Sequence, residues 1–420
     1  MLSIFFNCCL HHTYLPEALL RVILVPLVKE KNGDVCDISN YRPVALSTIL
    51  SKILEVIILN RCTDFLGTSD NQFAYKPNHG TEMSITMLKH ITLEYSRRST
   101  PVYTCFMDMS KAFDKVCHSY LFNVMKERGV PDYIINILQN WYTNQIMNVR
   151  WGDAVSSDFH VSCGVKQGSV LSPYLFNIYM DNLSDELSSH KIGCIVNDQV
   201  VNHNIYADDI ALFSPSMSGL QKLVNVCNTY MTSMKLSLNA NKTKCVMFNH
   251  DKKIWKPQTS ITINNTPLEF VKEKKYLGYM FTFNNSDDLY LRSLYRSLCI
   301  RSNMILRNFS KCVKDVKSLL FKSFCTSFYC LALVFKHRIS DINKLKVCYN
   351  NSFRRFFNVS RRTSVSAHFV QHGIPTFMEA QRKAVVSLLG RLRESKNRLL
   401  SSLVNSSYFH TTIIFSQLKK

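Results

Sequence analysis

The sequence NIYADDIALF, residues 204–213, constrains the architecture of this chain more than any other segment. It places two adjacent carboxylates, Asp208 and Asp209, inside an apolar run that is typical of a buried strand. Two neighbouring charges are costly to bury without a partner, and cations are their natural partners. Side chains alternate between the two faces of a straight strand, so both carboxylates can approach one site only at a tight turn. The segment therefore predicts two strands joined by an acidic hairpin turn.

A second strand with an acidic end lies upstream of this hairpin. The run VYTCFM, residues 102–107, is rich in β-forming residues, and Asp108 follows it directly. Two strands that each present a carboxylate at one end can build a site for paired divalent metal ions, which prefer hard oxygen ligands. Such a site performs nucleotidyl transfer. The alternative is an ordinary surface turn, because Asp is common in turns.

The charge of the chain is distributed unevenly along its 420 residues. The formal net charge is +21, which indicates a polyanionic partner. Residues 284–420 contain 24 Lys+Arg and 6 Asp+Glu, a balance of +18, whereas residues 1–283 are nearly neutral at +3. The basic part is typical of a surface that follows nucleic-acid phosphates. The alternative is a solvated helical face with spare lysines.

Cysteine usage and hydropathy predict the cellular setting. Fifteen cysteines without a CxxC pair indicate a reducing compartment, and therefore an intracellular protein of the cytoplasm, the nucleus or both. The cluster Cys8, Cys9, His11 and His12 contains ligand-type residues, but its spacing matches no zinc motif. The N-terminus lacks the features of a secretory signal, and no apolar run reaches about 18 residues, so no membrane association is expected.

Periodicity and turn residues predict a mixed α and β region followed by a helical one. Besides the strands around the acidic hairpin, strands are predicted at residues 21–29, 102–107, 159–163, 244–248, 261–263 and 276–283. Helices are predicted at residues 47–60, 81–95, 119–129, 132–142, 172–187, 218–234, 289–308, 313–335 and 342–357. The change of pattern predicts a domain boundary near residues 284–288.

The order and spacing of several further motifs resemble reverse transcriptases, most closely those of non-LTR (LINE-type) retrotransposons. The central motifs are DMSKAFD (108–114), QGSVLSP (167–173) and YADD (206–209). The flanking motifs are SNYRPVALSTILSKILEVIILNR (39–61), DNQFAYKPNHGT (70–81), LSLNANKTKCVMF (236–248) and KKYLGYMF (274–281). The resemblance covers residues 21–283, and the basic tail resembles the region that follows this domain in such elements.

This resemblance implies an α+β right-hand polymerase with fingers, a palm built on an antiparallel sheet, and a helical thumb. It divides the chain into a short N-terminal segment (1–20), a reverse transcriptase domain of fingers and palm (21–283), and a basic helical thumb with a C-terminal region (284–420). The implied enzyme is an RNA-directed DNA polymerase, a nucleotidyltransferase that adds dNTPs to the 3′-hydroxyl of a DNA primer on an RNA template. Its cofactor would be two Mg²⁺ ions, with Mn²⁺ as the alternative. The oligomeric state is not predicted.

The resemblance also implies roles for individual residues. Asp108 and Asp208 match the principal metal ligands, and Asp209 matches the third carboxylate. Phe113 matches the ring that packs against the sugar of the incoming nucleotide and excludes a 2′-hydroxyl; a buried core phenylalanine is the alternative. The backbone N–H groups of Lys111 and Ala112 match those that bind triphosphate oxygens.

Further positions match residues that hold the substrates. Arg42 matches a fingers arginine that contacts base and phosphate, with either Lys29 or Lys31 as a second cation. Gln167 and Gly168 match the loop that positions template and sugar. Lys242 matches a lysine that protonates pyrophosphate, a solvated surface lysine being the alternative. The remaining matches are Tyr276, Leu277 and Gly278 for the primer grip, Asp114 for a structural role, and Gln72, Phe73 and Lys76 for a fingers segment to which we assign no chemistry.

Three other functions are weighed against this one. A non-catalytic nucleic-acid-binding remnant of such an element would retain the basic helices without activity. A group II intron-type maturase shares YADD, but its segment around the first aspartate usually differs from SKAFDKV. A viral RNA-dependent RNA polymerase is disfavoured because Phe113 would exclude ribonucleotides. The early start of the first strand also predicts a polymerase module taken from a larger reading frame, without the endonuclease of such elements.

Overall fold

The computed structural model of the chain describes residues 1–109, 111–249, 254–334, 337–406 and 409. Its strands are β1 (Arg21–Val28), β2 (Tyr41–Ser47), β3 (Val102–Met107), β4 (Ile146–Trp151), β5 (Ala154–Val155), β6 (Phe159–His160), β7 (Cys194–Val196), β8 (Gln199–Val201), β9 (His203–Tyr206), β10 (Asp209–Ser214), β11 (Lys244–Phe248), β12 (Thr262–Ile263), β13 (Thr266–Pro267), β14 (Glu269–Phe270), β15 (Glu273–Tyr276) and β16 (Tyr279–Thr282).

Its α-helices before the predicted boundary are α1 (Leu2–His12), α2 (Glu17–Leu20), α3 (Ile49–Cys62), α4 (Thr81–Arg97), α5 (His118–Glu127), α6 (Asp132–Asn144), α7 (Ser172–Ser189) and α8 (Met217–Ser233). The later ones are α9 (Asp288–Phe309), α10 (Lys314–Cys325), α11 (Ile339–Phe357), α12 (Ser366–Gln371), α13 (Phe377–Glu394) and α14 (Arg398–Asn405). No described helix is both long and apolar enough to cross a membrane.

A five-stranded sheet of order β14-β11-β3-β10-β9 carries both acidic segments. The central strand β3 pairs antiparallel with β10 and β11, and β9 and β10 form a hairpin. Successive side chains of β3 point to opposite faces of the sheet and so enter different cores. Phe106 packs with α4 and the C-terminal helices, whereas Cys105 packs with α7 and α8. This two-sided burial explains why β3 is a continuous apolar run and why its charged residue comes only at its end.

A second sheet of order β2-β1-β4-β5, with β6 beside β4, lies outside this palm-like sheet. Strand β1 pairs antiparallel with β2 and parallel with β4. Its core is small and consists of Val22, Ala45 and Met147 with partly buried neighbours. This sheet carries Arg42 on β2.

The described elements after β16 are all helical. Helices α9 and α11 run parallel, since the N–H of Arg338 donates to Asp288 at their beginnings and Cys299 faces Cys348 further along, with Sγ atoms 3.4 Å apart. The chain then returns through α13 and α14 to the segment before α4, where Asn397 donates to the carbonyl of Asp70 at 2.7 Å.

The palm-like sheet and the helical region share one hydrophobic core, whose residues run along the sequence from Phe73 to Phe409. A buried ion pair crosses the predicted boundary: Lys89 of α4 contacts the carboxylate of Asp287 and the hydroxyl of Tyr279, and donates to the carbonyl of Leu333 at 2.6 Å. Losing one member of such a pair would leave a buried charge uncompensated, so the pair fixes the position of α9 relative to the palm.

Three predicted elements differ from the observed ones, and one observed helix was not expected. The strand predicted at residues 276–283 is a hairpin of β15 and β16, and the strand predicted at 159–163 ends at His160. The helix predicted at residues 313–335 ends at Cys325, and Phe335 lies outside the described residues. Helix α1, with Phe6, Cys9 and Leu10 buried, was not predicted. The α+β class itself is confirmed.

Candidate active site

The three predicted metal-binding aspartates meet at one end of the β3–β10 ladder. The last paired residues of this ladder are Met107 and Ile210. Asp108 follows β3 and Asp209 begins β10, so the same register places these two aspartates opposite each other. Directly opposed residues of antiparallel strands have Cβ atoms about 4.5–5.5 Å apart. Asp208 lies in the adjoining turn, which is closed by the pairing of Tyr206 with Asp209.

The charges of these aspartates act on one another. Burial raises the pKa of Asp209 to about 6, and the carboxylates of Asp208 and Asp108 contribute to the rise. The pKa of Asp208 is also raised, mainly by burial and further by Asp108, while Arg42 opposes the shift. Asp208 and Asp209 nevertheless remain accessible to solvent. The surrounding protein thus disfavours the charged form of both carboxyl groups although each still reaches solvent. Arg42 and Lys274 compensate their mutual repulsion only in part.

This donor set fits a divalent metal ion. Among the described residues, no three His, Cys, Asp or Glu side chains are grouped as a ready-made metal cage, and this includes the cluster Cys8, Cys9, His11 and His12. Mg²⁺ at phosphate-handling sites is held by one or two carboxylates, and substrate phosphates complete its coordination, so a full protein cage is not required. Asp108, Asp208 and Asp209, whose repulsion is only partly compensated, would supply the carboxylates that such an ion needs.

The turn that carries Asp208 is supported by Gln72. Ala207 adopts the left-handed conformation with φ 56°, which costs a non-glycine residue about 1 kcal/mol or more. The side-chain oxygen of Gln72 accepts hydrogen bonds from the N–H groups of Ala207 at 3.3 Å and Ala74 at 3.1 Å. Gln72 is buried, and the N–H of its neighbour Phe73 donates to the carbonyl of Ile205 at 2.9 Å. The sequence assigned no role to Gln72, although it lies within a recognised motif.

The backbone of Asp108 is held by the loop that contains Lys242. Its carbonyl accepts from the N–H of Asn239 at 2.9 Å, and its N–H donates to the hydroxyl of Thr243 at 3.1 Å. Lys242 lies between these two residues, and its own N–H donates to the side chain of Asn239 at 3.1 Å. Hydrogen bonds from Ser39 lower the pKa of Asp37, and the charge of Lys242 adds to that effect. Lys242 is therefore tethered beside Asp108 and close to the fingers.

Two successive residues after Asp108, Lys111 and Ala112, have backbone conformations of opposite hand. Lys111 is left-handed with φ 52°, and Ala112 is right-handed with φ −56° and ψ −46°. Successive residues of opposite hand direct their N–H groups to the same point, which is the geometry of an anion nest. Neither N–H group makes a hydrogen bond within the part of the chain that the structure describes. Ser110 lies outside the described residues.

The ring of Phe113 stacks on Phe176, with ring centroids 4.4 Å apart and planes 12° apart. The carbonyl of Phe113 accepts from the N–H of Val165 at 2.8 Å. Phe176 is fully buried, whereas Phe113 remains partly accessible. Phe113 is therefore a fixed ring at the margin of the core rather than a residue of its interior.

The loop with Gln167 and Gly168 is fixed between the two sheets. The side-chain amide of Gln167 donates to Asp114 at 2.9 Å, and its carbonyl accepts from the N–H of Ala45 at 2.7 Å. Gly168 has φ 107°, and a Cβ at this position would lie 3.1 Å from the carbonyl oxygen of Ala45. Only glycine fits this close approach without strain. Asp114 thus acts by holding the loop.

Three cationic side chains predicted from the sequence differ in what they contact. Arg42 is exposed and lies close enough to Asp208 to oppose the rise of its pKa. Lys29 donates to the carbonyl of Ser39 at 2.8 Å, whereas no contact is seen for the side chain of Lys31 within the described residues. The structure thus brings Arg42 to the aspartates and leaves the choice between Lys29 and Lys31 open.

Sequence reasoning missed two residues beside the aspartates. Lys274 on β15 opposes the rise in the pKa of Asp209. Tyr75 has a pKa raised by burial and by the charge of Asp208. Both residues lie inside motifs quoted above, so their proximity to the site could have been expected from the sequence. Neither residue type is an expected metal ligand.

The predicted primer-grip residues form the turn between β15 and β16. Leu277 and Gly278 both have positive φ, 47° and 81°. The hydroxyl of Tyr329 donates to the carbonyl of Leu277 at 2.6 Å, and a Cβ on Gly278 would lie 2.9 Å from the Tyr329 ring. Tyr276 is buried, and its ring centroid lies 5.0 Å from that of Phe106 on β3. The hairpin therefore joins the palm sheet to the helical region.

Comparisons with known proteins point to one family. The family model described as "Reverse transcriptase (RNA-dependent DNA polymerase)" matches residues 28–281, more than half of the chain. The chain is 28% identical over 250 residues to "Retrovirus-related Pol polyprotein from type-2 retrotransposable element R2DM" of Drosophila melanogaster, covering 58% of this chain and 24% of that protein. It is 25% identical over 373 residues to "RNA-directed DNA polymerase from mobile element jockey" of Drosophila funebris, covering 84% of this chain and 39% of that protein.

The chain spans less than two fifths of the length of these two relatives. Among solved structures, apo telomerase from Candida Tropicalis matches with a TM-score of 0.49 and 11% identity, covering 95% of this chain and 73% of that one. The resemblance to reverse transcriptases of non-LTR retrotransposons and the expected α+β right-hand fold are confirmed. This protein belongs to the reverse transcriptase (RNA-dependent DNA polymerase) family.

Proposed function

We propose that the chain is an RNA-directed DNA polymerase that extends a DNA primer with dNTPs on an RNA template. The observation that carries this proposal is the convergence of Asp108, Asp208 and Asp209 at the end of the β3–β10 ladder. Burial and the neighbouring carboxylates raise the pKa of Asp208, and they raise the pKa of Asp209 to about 6. A protein keeps such a repulsive cluster at a cost in stability, which is characteristic of functional sites.

Asp108, Asp208 and Asp209 would hold Mg²⁺, or Mn²⁺ in its place. When bound, the metal pair would lower the pKa of the primer 3′-hydroxyl and neutralise charge on the departing pyrophosphate. The aspartates contribute negative charge and hard oxygen atoms at fixed positions. Their positions are fixed because Thr243 and Asn239 bind the backbone of Asp108 and Gln72 binds the turn beside Asp208.

The incoming dNTP is held from three sides. The N–H groups of Lys111 and Ala112 donate to triphosphate oxygens, because they form an anion nest whose donors are not used within the described chain. Arg42, next to Asp208, contacts phosphate and base. Phe113 lies against the sugar, and its stack on Phe176 prevents the ring from moving aside for a 2′-hydroxyl.

The remaining site residues act on the template, the primer and the leaving group. Gln167 and Gly168 position the template strand through the loop that Asp114 fixes. The turn of Leu277 and Gly278 steadies the primer end. Lys242 donates a proton to pyrophosphate from its place beside Asp108, since general acids act within hydrogen-bond reach of the group that they protonate.

In this proposal residues 21–283 are fingers and palm, residues 284–420 are a basic thumb with a C-terminal region, and residues 1–20 form a short segment before them. The partners are an RNA template, a DNA primer and dNTPs. The enzyme acts inside the cell, in the cytoplasm, the nucleus or both, because its fifteen cysteines are free thiols.

The test is extension of oligo(dT) on poly(A) by the purified chain, with MgCl₂ and then with EDTA. We expect incorporation of dTTP that EDTA abolishes. Asp208→Asn should abolish extension while keeping the fold, as judged by circular dichroism. The matched control is Asp153→Asn, which removes a carboxylate from an exposed position between β4 and β5 that makes no ion pair among the described residues. Extension by Asp208→Asn, or binding of nucleic acid without any extension by the unmodified chain, would refute the proposal.

A further inference from the structure

Two cysteines face each other between α9 and α11 and form an interhelical thiol pair. The Sγ atoms of Cys299 and Cys348 lie 3.4 Å apart, although the residues are 49 positions apart in the sequence. Cys348 is buried in the core that the palm-like sheet shares with the helical region, whereas Cys299 is only partly buried and packs at the margin of that core. The pair therefore lies where the core meets solvent, and one of its sulfurs is accessible to a small reagent.

The two helices hold the thiol pair from both ends. Where they begin, the N–H of Arg338 donates to Asp288 at 2.9 Å, and the pair follows about three turns later on each helix. Beyond the pair, Leu306 of α9 and Asn351 of α11 line one cavity. Because α9 and α11 lie side by side before and after the pair, the sulfurs cannot separate widely unless a helix moves.

The separation of the two sulfurs is close to what a disulfide needs. A disulfide bond is about 2.05 Å long, so the sulfur atoms must approach each other by about 1.4 Å. A change in χ1 of one or both side chains moves a sulfur by distances of this size. The helix packing therefore supplies the proximity, and side-chain rotation can supply the rest.

A cysteine can also serve simply as a small core residue. Cys105 and Cys245 are of that kind, since they pair across β3 and β11 and both are fully buried. Oxidation of a thiol requires access for the oxidant. The interhelical pair differs from these two cysteines because Cys299 reaches solvent.

We propose that Cys299 and Cys348 form a redox-sensitive dithiol, which a hydroperoxide converts into a disulfide that clamps α11 to α9. The sulfur of Cys299 attacks the O–O bond of the hydroperoxide. An S–O bond forms, the O–O bond breaks, and the leaving oxygen departs with the thiol proton as an alcohol, or as water from hydrogen peroxide. The sulfur of Cys348 then attacks the sulfenic sulfur, and the displaced hydroxide takes the second thiol proton as water. The two thiols together lose two electrons, and the hydroperoxide gains them.

The surroundings of Cys348 favour this order of steps. Burial raises the pKa of Cys348 to about 12, and Cys299 adds to the rise while Ser352 and Arg355 oppose it. A thiol that ionises so poorly reacts slowly with a hydroperoxide, so the accessible Cys299 reacts first. Once Cys299 is a neutral sulfenic acid its charge no longer opposes ionisation of Cys348, and the second step is favoured because it is intramolecular.

The disulfide would join two helices that the sequence connects only through residues 310–338. In a reducing compartment such a bond is transient and reports exposure to an oxidant. Helix α9 is already fixed to the palm-like sheet, because Asp287 before it pairs with the buried Lys89 of α4. The clamp therefore fixes α11 to the palm-like sheet through α9. The inference depends on the thiols alone and is independent of the proposed function.

The first test detects the disulfide in the unmodified chain. The reduced chain is treated with hydrogen peroxide, alkylated with N-ethylmaleimide in denaturant and digested with trypsin without reductant. Cys299 and Cys348 each fall in a tryptic peptide with no other cysteine, residues 297–301 and 347–354. Mass spectrometry should find these two peptides joined, and dithiothreitol should separate them.

Cys105 and Cys245 serve as the internal control, since they are also neighbours but are fully buried. They should remain N-ethylmaleimide adducts after the same treatment. If both interhelical cysteines also carry N-ethylmaleimide after peroxide, or if Cys299 is converted to the sulfinic acid without forming the bond, the proposal is overturned.

The second test measures whether the disulfide holds the helices together. Peroxide should raise the Tm of the unmodified chain by about 2–4 °C, the size expected for a crosslink that closes a loop of 49 residues in a chain of this length. Cys299→Ser should show no rise. The matched control Cys312→Ser, which removes another partly buried thiol of the helical region, should keep it. Circular dichroism follows the unfolding at one scan rate.

Reversal by dithiothreitol separates the clamp from other oxidation. Peroxide also oxidises methionine, but methionine sulfoxide is restored by dedicated reductases rather than by exchange with a dithiol. The rise in Tm should therefore disappear when dithiothreitol is added. A crosslinked chain whose Tm does not rise, or an equal rise in Cys299→Ser and the unmodified chain, would overturn the proposal.

Discussion

Asp209→Asn is expected to stabilise the chain at about pH 8 while it abolishes primer extension. The native pKa of Asp209 is about 6, raised by burial and by the charges of Asp208 and Asp108, whereas an aspartate of an unfolded chain titrates near 3.9. A carboxyl group whose native pKa lies above its unfolded value binds more protons in the native state. Stability is therefore lost as the pH rises from about 4 to about 6, and the loss remains above that window. Asparagine does not ionise and avoids the loss.

The size of the effect follows from the shift. A rise of about two pKa units corresponds to at most about 3 kcal/mol. Asp209 is accessible to solvent, so screening reduces the expected gain to about 1 kcal/mol. Unfolding entropy of about 2.1 cal/mol/K per residue makes 1 kcal/mol worth roughly 1 °C in Tm for a chain of this length. The variant should therefore melt about 1 °C above the unmodified chain at about pH 8 and at the same temperature at about pH 4.

The assay is thermal unfolding followed by circular dichroism in EDTA, at one scan rate and over a series of pH values. Asp153→Asn serves as the control, because it removes an exposed carboxylate that makes no ion pair with the described residues. Added MgCl₂ should raise the Tm of the unmodified chain at about pH 8 more than that of Asp209→Asn, since the ion relieves the same repulsion. A Tm difference between Asp209→Asn and the unmodified chain that does not change with pH, or that is negative at about pH 8, would show that the aspartates do not repel one another.

Three further substitutions test individual roles. Phe113→Val should lower the preference for dTTP over UTP about tenfold or more in single-nucleotide incorporation, because a smaller side chain leaves room for the 2′-hydroxyl. An unchanged preference would show that Phe113 does not exclude ribonucleotides. Lys242→Ala should slow single-turnover incorporation about 10²-fold with little change in dTTP affinity, and full activity of Lys242→Arg would reduce its role to charge alone. Gln72→Ala leaves the N–H of Ala207 without its acceptor, at a cost of about 1–3 kcal/mol; steady-state kinetics should show a fall in kcat larger than any rise in KM, and the reverse pattern would refute a positioning role.

The central strands and the acidic site were predictable from the sequence because their signals are local. Strands β3 and β11 have the predicted bounds, since each is a short apolar run buried on both faces. The hairpin at Asp208 and Asp209 follows from the cost of placing two charges inside such a run. The convergence with Asp108 was predicted only through the order of motifs, because strand register is set by pairing partners that lie far apart in the sequence.

The hairpin of β15 and β16 was not predictable from its own residues. A turn that requires positive φ at two positions usually carries Asn or Gly at the first, but here the first is Leu277. Its conformation is stabilised by Tyr329, which donates to the Leu277 carbonyl from 52 residues away. The local pattern of alternating apolar residues therefore predicted one strand. The turn that divides it into β15 and β16 is stabilised by the distant side chain of Tyr329.

The apolar run at residues 326–334, after α10, also owes its conformation to residues far away in the sequence. Residues 330–334 of this run are buried, yet the backbone is irregular and Cys330 is left-handed with φ 50°. An irregular buried segment needs partners for its carbonyl groups. The carbonyl of Leu333 finds one in Lys89, a buried cation on α4. Periodicity reports burial, but it does not report a partner from another element.

The C-terminal helices support the turn that carries Asp208 as well as forming the basic surface. Asn397, at the N-terminus of α14, donates to the carbonyl of Asp70 at 2.7 Å, and Arg398 contacts the Asp70 carboxylate at 2.9 Å. Asp70 lies two residues before Gln72, whose side chain accepts from Ala207 beside Asp208. The left-handed Ala207 and the repelling carboxylates both favour opening of this turn, so contacts from outside the palm must oppose them. Because α14 supplies such contacts, the geometry of the aspartates depends on residues that no polymerase motif includes.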